Sequence, residues 1–501
     1  MQHALWHRVY ITNQKDTARA RCRSFPALGH AQASVAGKGV RRMSVFSLSN
    51  LKKTWYYLQK NGIRNAVWAV LERIGQEQEV YTWQEPDEKT LSFQREHSAS
   101  LRISIVVPAY RTKKEHLEAM LNSVSRQSYP HWELIVADAG GTAESVQAWA
   151  KKNGICLREA ADASNLAEWK DQSIVLSPLS ENKGISANTN AGIGLAAGDA
   201  VGLLDHDDLL TANALWEMAD CLEKEKKRGK QKLVLFSDED KCDGAASRFY
   251  EPNFKPDFDG ELLLTNNYIC HFTVIETAFL KELKLRSGFD GAQDYDLMLR
   301  AYAAGGQFVH VPKVLYHWRC HEASTASNPQ SKRYAYEAGQ RALEDYCLRK
   351  GWKATVSGLK HLGFYREDYE DSVFCQRPEI GIWAKPLPGG RDIFGIRHPK
   401  GFLVSGLYEN DGLMRYAGLR KGYSGPMHRA ALQQSAPAAD LRSMEVCSAL
   451  KERYAQTIAE LKEACQGLPT AAQEKKILQK SMEFCKEATA AGYGILWDPQ
   501  A

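Results

Sequence analysis

Short apolar runs alternate with amphipathic segments between residues 101 and 320. The strand-like runs are Ile103–Val107, Glu133–Ala137, Ser173–Leu176 and Ala200–Leu204. Apolar residues recur at helical spacing in the segments Leu117–Gln127, Ala143–Lys151 and Ser186–Ala196. Strands that alternate with helices of this length predict βαβ units. We therefore predict an α/β fold with a mostly parallel sheet flanked by helices.

Polar residues follow the predicted strands directly. They occur at Pro108–Arg111, Asp138–Gly141, Glu181–Gly184, Asn188–Gly192 and Asp205–Asp208. In open parallel sheets ligands bind at the carboxyl ends of the strands, so we expect the functional site there. No GxGxxG motif follows any of these strands and the chain has no GxxxxGK[ST] motif, which argues against a dinucleotide-binding fold and a P-loop enzyme.

Three aspartates, Asp205, Asp207 and Asp208, occur within four residues after the fourth run. Carboxylates this close repel one another unless a cation bridges them, and hard divalent cations prefer oxygen ligands. The pattern therefore predicts a divalent metal site. Asp208 could also cap a helix that begins near Thr211, a role that needs only one aspartate and is compatible with the metal.

The flanking regions differ from this block. Residues 1–42 hold eight Lys or Arg and one acidic residue, which is typical of a disordered basic arm or a targeting peptide, unless translation starts at Met43. Residues 43–100 are expected to form amphipathic helices and then a linker over 76–100. The basic helical face would suit either an anionic membrane surface, in peripheral contact, or the next domain. Residues 366–395 are predicted to be a linker.

Composition narrows the class of protein. Of the 501 residues 44% are hydrophobic and 25% are charged, which is typical of globular domains. The net charge of +5 is too small to indicate a nucleic-acid partner. We expect no transmembrane helix, because no apolar stretch reaches 18 residues. The 11 dispersed cysteines, without a CxxC pair, predict reduced thiols in a cytoplasmic protein.

Residues 101–365 resemble the family 2 glycosyltransferases, which have the GT-A fold. The resemblance depends on ISIVVPAY, ELIVADAGG, ENKGISANTNAG and LLDHDD, in the family's order and spacing. FSDEDK, FKPDF, NNYICH, GAQDYDLMLR and VPKVLYHWR resemble a subgroup of bacterial surface-polysaccharide transferases of the rhamnan and O-antigen type.

The resemblance implies a site for a nucleotide-diphospho-sugar and a divalent metal, Mn²⁺ or Mg²⁺. The implied metal ligands are Asp205, Asp207 and His317, and an imidazole ligand would favour manganese. The implied nucleotide-sugar contacts are Pro108, Tyr110, Asp138, Asn182, Lys183, Asn190, Asp205 and Arg319. Pro108, Tyr110 and Asp138 would border the base, and Arg319 could neutralise the diphosphate.

On the acceptor side the resemblance implies that Asp294 is the catalytic base. Asp296 points about 200° away on a helix, so we expect it to be a structural carboxylate. Asn267, Tyr268 and His271 would border the acceptor, although they could also be ordinary turn and core residues. Residues 321–332 have the composition of a loop that closes over the donor or of a plain surface loop.

These inferences predict a metal-dependent inverting glycosyltransferase that extends a cell-surface polysaccharide or a lipid-linked glycan. Residues 396–501 weakly resemble a second, abbreviated glycosyltransferase domain without a DxD motif, which would be inactive. That feature leaves an alternative open, a non-catalytic glycan-binding or scaffold partner of another glycosyltransferase. A sugar nucleotidyltransferase is disfavoured, because Pro108–Thr112 contains no glycine for a triphosphate loop.

Overall fold

A computed structural model describes most of the predicted sheet and parts of the C-terminal third. The described residues are 81–160, 169–255, 257–320, 333–358, 363–384, 414–415, 444–464, 480, 483–484, 487–488 and 490–497. The basic arm, the predicted helices before residue 76 and the loop 321–332 lie outside these ranges. None of the helices within them is long and apolar enough to cross a membrane.

Ten strands form the main sheet of the described chain. They are Ile103–Ala109 (β1), Trp132–Asp138 (β2), Cys156–Glu159 (β3), Ser173–Pro178 (β4), Ala200–Leu203 (β5), Leu209–Leu210 (β6), Leu233–Asp243 (β7), Phe249–Asn253 (β8), Thr273–Glu276 (β9) and Gln307–Cys320 (β10). Their order is β3-β4-β2-β1-β5-β9-β7-β10-β6, with β8 beside β7. The β1, β2, β3, β4 and β5 neighbours pair in parallel, as do β7 and β10, while β9 runs antiparallel to both of its neighbours.

Helices cover both faces of this sheet. Within the main domain they are Lys114–Ser125, Ala143–Asn153, Ile185–Leu195, Ala214–Lys227, Gly260–Thr265, Thr277–Leu283, Gln293–Ala303 and Arg333–Arg349. The mostly parallel α/β architecture predicted from the alternating pattern is therefore confirmed.

The core explains why the strands are continuous apolar runs. Ile105 and Val107 of β1 pack on one face with Leu117 of the following helix, whereas Val106 packs on the other face with Ile193. All of these side chains are at most 2% exposed. A strand that is buried on both faces needs an apolar residue at every position. Burying each such side chain contributes about 1.5–3 kcal/mol.

The strand register brings the predicted polar segments to one edge of the sheet. Ala109 of β1 lies opposite Asp138 of β2, which in turn lies opposite Pro178 of β4. On the other side of β1, Val106 pairs with Leu203 at the end of β5. The residues that follow these four strands therefore share one rim of the domain.

Two segments predicted as linkers contain regular structure. Within 76–100 a helix spans Glu88–Glu96, is capped by Asp87 and buries Gln94, whose side-chain oxygen accepts from Ser128 Oγ at 2.7 Å. The helix packs through Gln94 and Leu91. Because only one of these two side chains is apolar, the low apolar content of the segment did not indicate a packed helix.

The described part of 366–395 is also not a linker. It contains the end of the strand Tyr365–Tyr369, the helix Val373–Gln376 and the strand Ile380–Ala384. Ile380 and Ile382 are fully buried, and the strand that holds them pairs in parallel with Gly494–Trp497. The segment as a whole is rich in glycine, proline and charged residues, so its overall composition did not indicate the short strand that holds these two isoleucines.

The C-terminal third has its own small sheet. Its strand order is Met414–Arg415, Gly494–Trp497, Ile380–Ala384 and Met444–Val446. Two helices, Ser448–Arg453 and Ala455–Ala464, cover the stretch predicted as one helix over Ser448–Cys465. That this region is an inactive second transferase domain remains a prediction.

Candidate functional site

The aspartate loop, residues 205–208, follows β5 and is fastened to β10. Asp208 is 1% exposed, and its carboxylate accepts from Tyr316 Oη at 2.6 Å and from the Arg319 main-chain N–H at 2.7 Å. The next helix begins only at Ala214, after Asn213. Asp208 therefore does not cap that helix, as the sequence had suggested, because the strand β10 supplies its donors instead.

Arg319 holds the same loop from β10. Its guanidinium is buried, and Nε donates to the Asp207 main-chain carbonyl at 2.6 Å while Nη1 donates to the Gly244 carbonyl at 2.7 Å. Nη2 is buried and has no hydrogen-bond partner among the described residues. Arg319 thus fixes the loop's backbone with two of its nitrogens, and only Nη2 is left for the predicted role at a diphosphate.

Charges from two distant motifs act on Asp205. Burial raises the pKa of this half-buried carboxyl group, and the negative charges of Asp207 and Asp294 raise it further, while His271 and His206 lower it. Asp294 is 89 residues away in the sequence, yet its charge reaches Asp205. The aspartate loop and the start of the helix Gln293–Ala303 therefore belong to one charged region.

His271 lies among these carboxylates. Its ring stacks on Tyr316 with centroids 4.9 Å apart, and its Nδ1 is 3.3 Å from Glu239 Oε2. Burial alone would lower the pKa of His271, but the hydrogen bond to Glu239 and the charges of Glu239, Asp205 and Asp208 raise it to about 9. The carboxylates around His271 therefore favour the protonated form of its imidazole.

The predicted base and its neighbour on the same helix have different surroundings. Asp294 is half-buried at the helix start, and its Oδ2 accepts from Asn267 Nδ2 at 3.0 Å. Asp296 is 1% exposed and is bound by Arg286 and by Arg300, whose Nε is 2.9 Å from Oδ2. Two guanidinium partners assign Asp296 a structural role, whereas Asp294 has neutral partners, the Asn267 amide and the Cys270 thiol, and lies at the charged region.

His317 does not join the aspartate loop within the described residues. Its Nδ1 is 2.5 Å from Asp240 Oδ1, and its ring packs between Phe249 and Trp83 at centroid distances of 4.3 and 5.0 Å. Neighbouring residues of a strand point to opposite faces, so Tyr316 faces the loop and His317 faces away. The contacts of His317 thus do not bring it to Asp205 and Asp207, and its role as a third metal ligand stays a prediction.

Asp205 and Asp207 fit a divalent cation that takes few protein ligands. Across the described ranges no three His, Cys, Asp or Glu side chains are grouped so that they could hold a metal ion. Mg²⁺ and similar cations in phosphate sites usually take one or two carboxylates and complete their shell with water and substrate phosphates. Asp205 and Asp207 match that donor set, and the raised pKa of Asp205 shows a negative field that a cation would relieve.

Tyr110 is the accessible aromatic side chain at the end of β1. It is 39% exposed, and the Arg111 guanidinium lies 5.0 Å from its ring centroid. The ring covers Gly140, where an added Cβ would lie 3.5 Å from it. Pro108, one register step before the strand end, is half-buried. Tyr110 therefore offers an open ring face at the rim where a nucleotide base is expected.

Asp138 has a different role from the one predicted. Its carboxylate accepts from the main-chain N–H groups of Gly140 at 3.0 Å and Ala143 at 2.8 Å, and from both donors of Thr142. Such contacts cap the helix Ala143–Asn153 and stabilise its positive end. Asp138 therefore fixes the turn under Tyr110. Its carboxylate oxygens already accept hydrogen bonds from this turn, so they are not open to a nucleotide base.

Asn182 and Lys183 lie in the turn after β4. Asn182 Oδ1 accepts from Gly184 N–H at 3.1 Å and from Asn188 Nδ2 at 2.8 Å, so it fixes the turn. Lys183 is exposed at the rim, where its Nζ lies 3.0 Å from Glu181. Its ammonium group is the one feature of this turn that could reach a phosphate.

Asn190 and Tyr268 are fixed inside the domain. Asn190 forms a reciprocal pair of hydrogen bonds with the main chain of Leu285, at 2.8 and 2.9 Å, which occupies both ends of its amide. Tyr268 is 7% exposed, and its hydroxyl accepts from Asp259 N–H at 2.8 Å. The structure therefore does not support Asn190 as a pocket wall or Tyr268 as an acceptor contact, since internal partners use their polar groups.

Sequence reasoning missed the buried charges behind the site. Asp238, Glu239 and Asp240 of β7 are at most 8% exposed, and Lys255 is 1% exposed. FSDEDK and FKPDF contribute to the family resemblance, but the resemblance assigns no function to their charged side chains. Because buried charges need partners, three consecutive acids inside a strand could have predicted nearby His or Lys residues.

Residues 104–283 match the model of glycosyl transferase family 2. The matched segment contains the residues that follow β1, β2, β4 and β5 at the rim of the sheet, and it ends before Asp294.

Two curated relatives extend the comparison. The uncharacterized protein y4gI of Sinorhizobium fredii is 36% identical over 50% of this chain and 26% of its own length. The O-antigen biosynthesis protein RfbC of Myxococcus xanthus is 35% identical over 51% of this chain and 19% of its own length. The chain thus spans about a quarter or less of either relative.

Among solved structures, TarS of Staphylococcus aureus in complex with UDP-GlcNAc aligns with 50% of this chain and 67% of its own. The identity is 20% and the TM-score is 0.37. That likeness is too weak to support an argument about the function of this chain.

Proposed function

We propose that this chain is a metal-dependent, inverting glycosyltransferase. It moves a sugar from a nucleotide diphosphate to a hydroxyl group of a growing cell-surface polysaccharide or lipid-linked glycan. The observation that carries the proposal is a series of contacts between the aspartate loop and the candidate base. Tyr316 donates to Asp208 and stacks on His271, and the segment that holds His271 also holds Asn267, which donates to Asp294. The name of RfbC, an O-antigen biosynthesis protein, supports the polysaccharide as the product class.

On the donor side, Asp205 and Asp207 would hold Mn²⁺ or Mg²⁺. Such an ion supplies Lewis-acid stabilisation of the departing diphosphate. The open face of Tyr110 beside Pro108 accepts the nucleotide base. The Lys183 ammonium group and the buried Nη2 of Arg319 provide positive charge for the phosphates.

On the acceptor side, Asp294 takes the proton of the attacking hydroxyl group. The hydroxyl oxygen forms a bond to the anomeric carbon while the bond from that carbon to the diphosphate oxygen breaks. A single displacement of this kind inverts the anomeric configuration. Asn267 orients the Asp294 carboxylate by donating to Oδ2, and a positioned general base contributes about 10²–10⁴-fold to the rate.

The proposal is tested by transfer from a panel of nucleotide sugars with Mn²⁺, with the products identified by mass spectrometry. Asp294→Asn should lower kcat by about 10²–10⁴-fold and leave the nucleotide-sugar Kd within a factor of two. The matched control is Asp220→Asn, which changes an aspartate on the exposed face of the helix Ala214–Lys227.

Two results would contradict the proposal. Transfer at the original rate by Asp294→Asn removes the base assignment. A wild-type chain that binds glycans but shows neither transfer nor metal-dependent nucleotide affinity indicates the non-catalytic partner instead.

A further inference from the structure

The segment 266–271 connects the helix Gly260–Thr265 with β9 and belongs to neither. It is nevertheless packed inside the domain, with Tyr268 7% and Ile269 0% exposed. Buried main-chain groups outside helices and sheets need hydrogen-bond partners from elsewhere. The partners in this case are charged side chains from another part of the chain.

Lys255 supplies the first of these partners. Its Nζ donates to the main-chain carbonyls of Ile269 at 2.8 Å and His271 at 2.6 Å. Lys255 is 1% exposed, and its own N–H donates to Asp238 at 2.8 Å, which fixes the base of the side chain. A lysine this deeply buried contributes its charge to the interior alone.

Glu239 supplies the second partner. Its Oε2 accepts the main-chain N–H of His271 and lies 3.8 Å from Lys255 Nζ, while Oε1 accepts from Asn253 Nδ2 at 3.1 Å. The Lys255–Glu239 pair thus holds one N–H and two carbonyl groups of the segment. Replacing a buried ion pair with apolar groups is often neutral for stability, so stability alone does not account for this pair.

The segment also carries the direct contact of the candidate base. Asn267 lies between the two carbonyl-bearing residues and the helix Gly260–Thr265, and its Nδ2 is 3.0 Å from Asp294 Oδ2. A shift of the segment main chain would move this amide and with it the hydrogen bond to the carboxylate. A continuous set of contacts therefore runs from β7 through the segment to the base.

We infer that Lys255 and Glu239 are positioning residues that set the orientation of the Asp294 carboxylate through Asn267. The inference rests on the proposed role of Asp294 as the base. Neither residue touches the reacting atoms in this scheme. Their effect should appear in kcat for transfer rather than in donor binding.

The test compares two buried ion pairs of the same domain. The double variant Lys255→Met/Glu239→Gln removes both charges of the segment pair, so neither is left unpaired. The matched control, Arg158→Met/Glu133→Gln, removes the buried pair between β3 and β2, whose Nη2 to Oε2 distance is 2.6 Å. Kinetics of transfer from the donor identified in the panel, melting temperature and far-UV circular dichroism are measured for both.

We expect kcat to fall by about 10²-fold in the segment variant, with the donor KM within a factor of two, because displacements of about 1 Å have this effect on catalysis. The control should retain wild-type kcat although its melting temperature falls. Equal losses of kcat in the two folded variants, or full kcat in the segment variant, would overturn the inference while leaving the proposed function intact. A wild-type chain that transfers no sugar refutes the proposed function, and the inference with it.

A second comparison tests the inference even if the double variant folds poorly. Asn267→Ala should lower kcat to a similar extent, and adding Lys255→Arg, which keeps the charge but moves the donors, should cause no further loss. Losses that multiply would show that Lys255 acts independently of Asn267 and would refute the inference. Unchanged kcat in folded Lys255→Arg would also refute it.

Discussion

Two acidic clusters of the main domain look alike in sequence and differ in the structure. The aspartate loop has Asp205, Asp207 and Asp208, and β7 has the cluster Asp238, Glu239 and Asp240. Each acid of this β7 cluster contacts a basic side chain, since His310 Nε2 is 2.9 Å from Asp238, Lys255 pairs with Glu239, and His317 contacts Asp240.

The aspartate loop lacks such compensation at Asp205. Burial and the charges of Asp207 and Asp294 raise its pKa, and His271 and His206 offset this only in part. The pKa of Glu239 in β7 is lowered instead, to about 2, because Lys255 and His271 overcome the effect of burial. The pKa shifts in the two clusters are thus opposite, raised at Asp205 and lowered at Glu239, so a bound cation would be most favourable at the aspartate loop.

The largest effect that separates the clusters is expected from Asp207→Asn. This change removes a carboxylate from the proposed cation site and should lower kcat by about 10²–10³-fold, as for the loss of one charge-stabilising group. Mn²⁺ titrations of activity measure this loss, and wild-type kcat at saturating Mn²⁺ would remove Asp207 from the proposed cation site.

Glu239→Gln should have the opposite profile. The variant leaves the Lys255 ammonium group buried without its carboxylate, and we expect a loss of about 3–5 kcal/mol in the free energy of unfolding. The exposed change Glu251→Gln, in the hairpin partner of β7, is the control. Urea denaturation measures both, and a loss below that of the control would mean that Glu239 is not a compensating partner.

Acid should destabilise the domain through the same residue. The folded-state pKa of Glu239 is about 2, below its ordinary value of 4.5, so its ionisation stabilises the fold above pH 4.5. That contribution is lost as the pH falls from 4.5 towards 2. The free energy of unfolding of the wild type should therefore decrease across this range more steeply than that of Glu239→Gln, and parallel curves would contradict the assignment.

Tyr316→Phe tests the connection between the loop and β10. It removes the hydroxyl group that donates to Asp208 and should reduce stability by about 1–3 kcal/mol, since a buried carboxylate loses a partner. A modest fall in kcat should accompany it. Urea denaturation and transfer kinetics measure the two effects, and an unchanged unfolding free energy would show that Asp208 does not depend on this donor.

The smallest effect on metal dependence is expected from His317→Gln. Since the imidazole contacts Asp240 and faces away from the loop, the Mn²⁺ concentration for half-maximal activity should stay within about a factor of three, far from the cost of losing a ligand. Equilibrium unfolding serves as the second measurement. A rise of 100-fold or more in that concentration would return His317 to the metal site.

The sequence pattern was sufficient to predict the rim of the sheet but not the direction of each side chain. Continuous apolar runs identified β1, β2, β4 and β5, and the residues after them do share one edge. Which polar groups are already occupied depends on local donors that a pattern does not show, as at Asp138, whose carboxylate is used by the turn that follows it.

Strand alternation explains why the sequence alone did not show the surroundings of His317. Tyr316 and His317 are adjacent, and only the fold determines which of the two faces the aspartate loop. The resemblance favoured the histidine, whereas the structure assigns that position to the tyrosine. Packed elements with few apolar residues, such as the helix Glu88–Glu96, were missed because a buried glutamine anchors them.

The two main-chain hydrogen bonds of Arg319 limit how this domain could diverge or be re-engineered. One guanidinium spans the Asp207 carbonyl and the Gly244 carbonyl in the turn between β7 and β8. Lengthening that turn would therefore displace the aspartate loop. Grafting the loop into another protein should succeed only when the hairpin turn and the arginine are transferred with it.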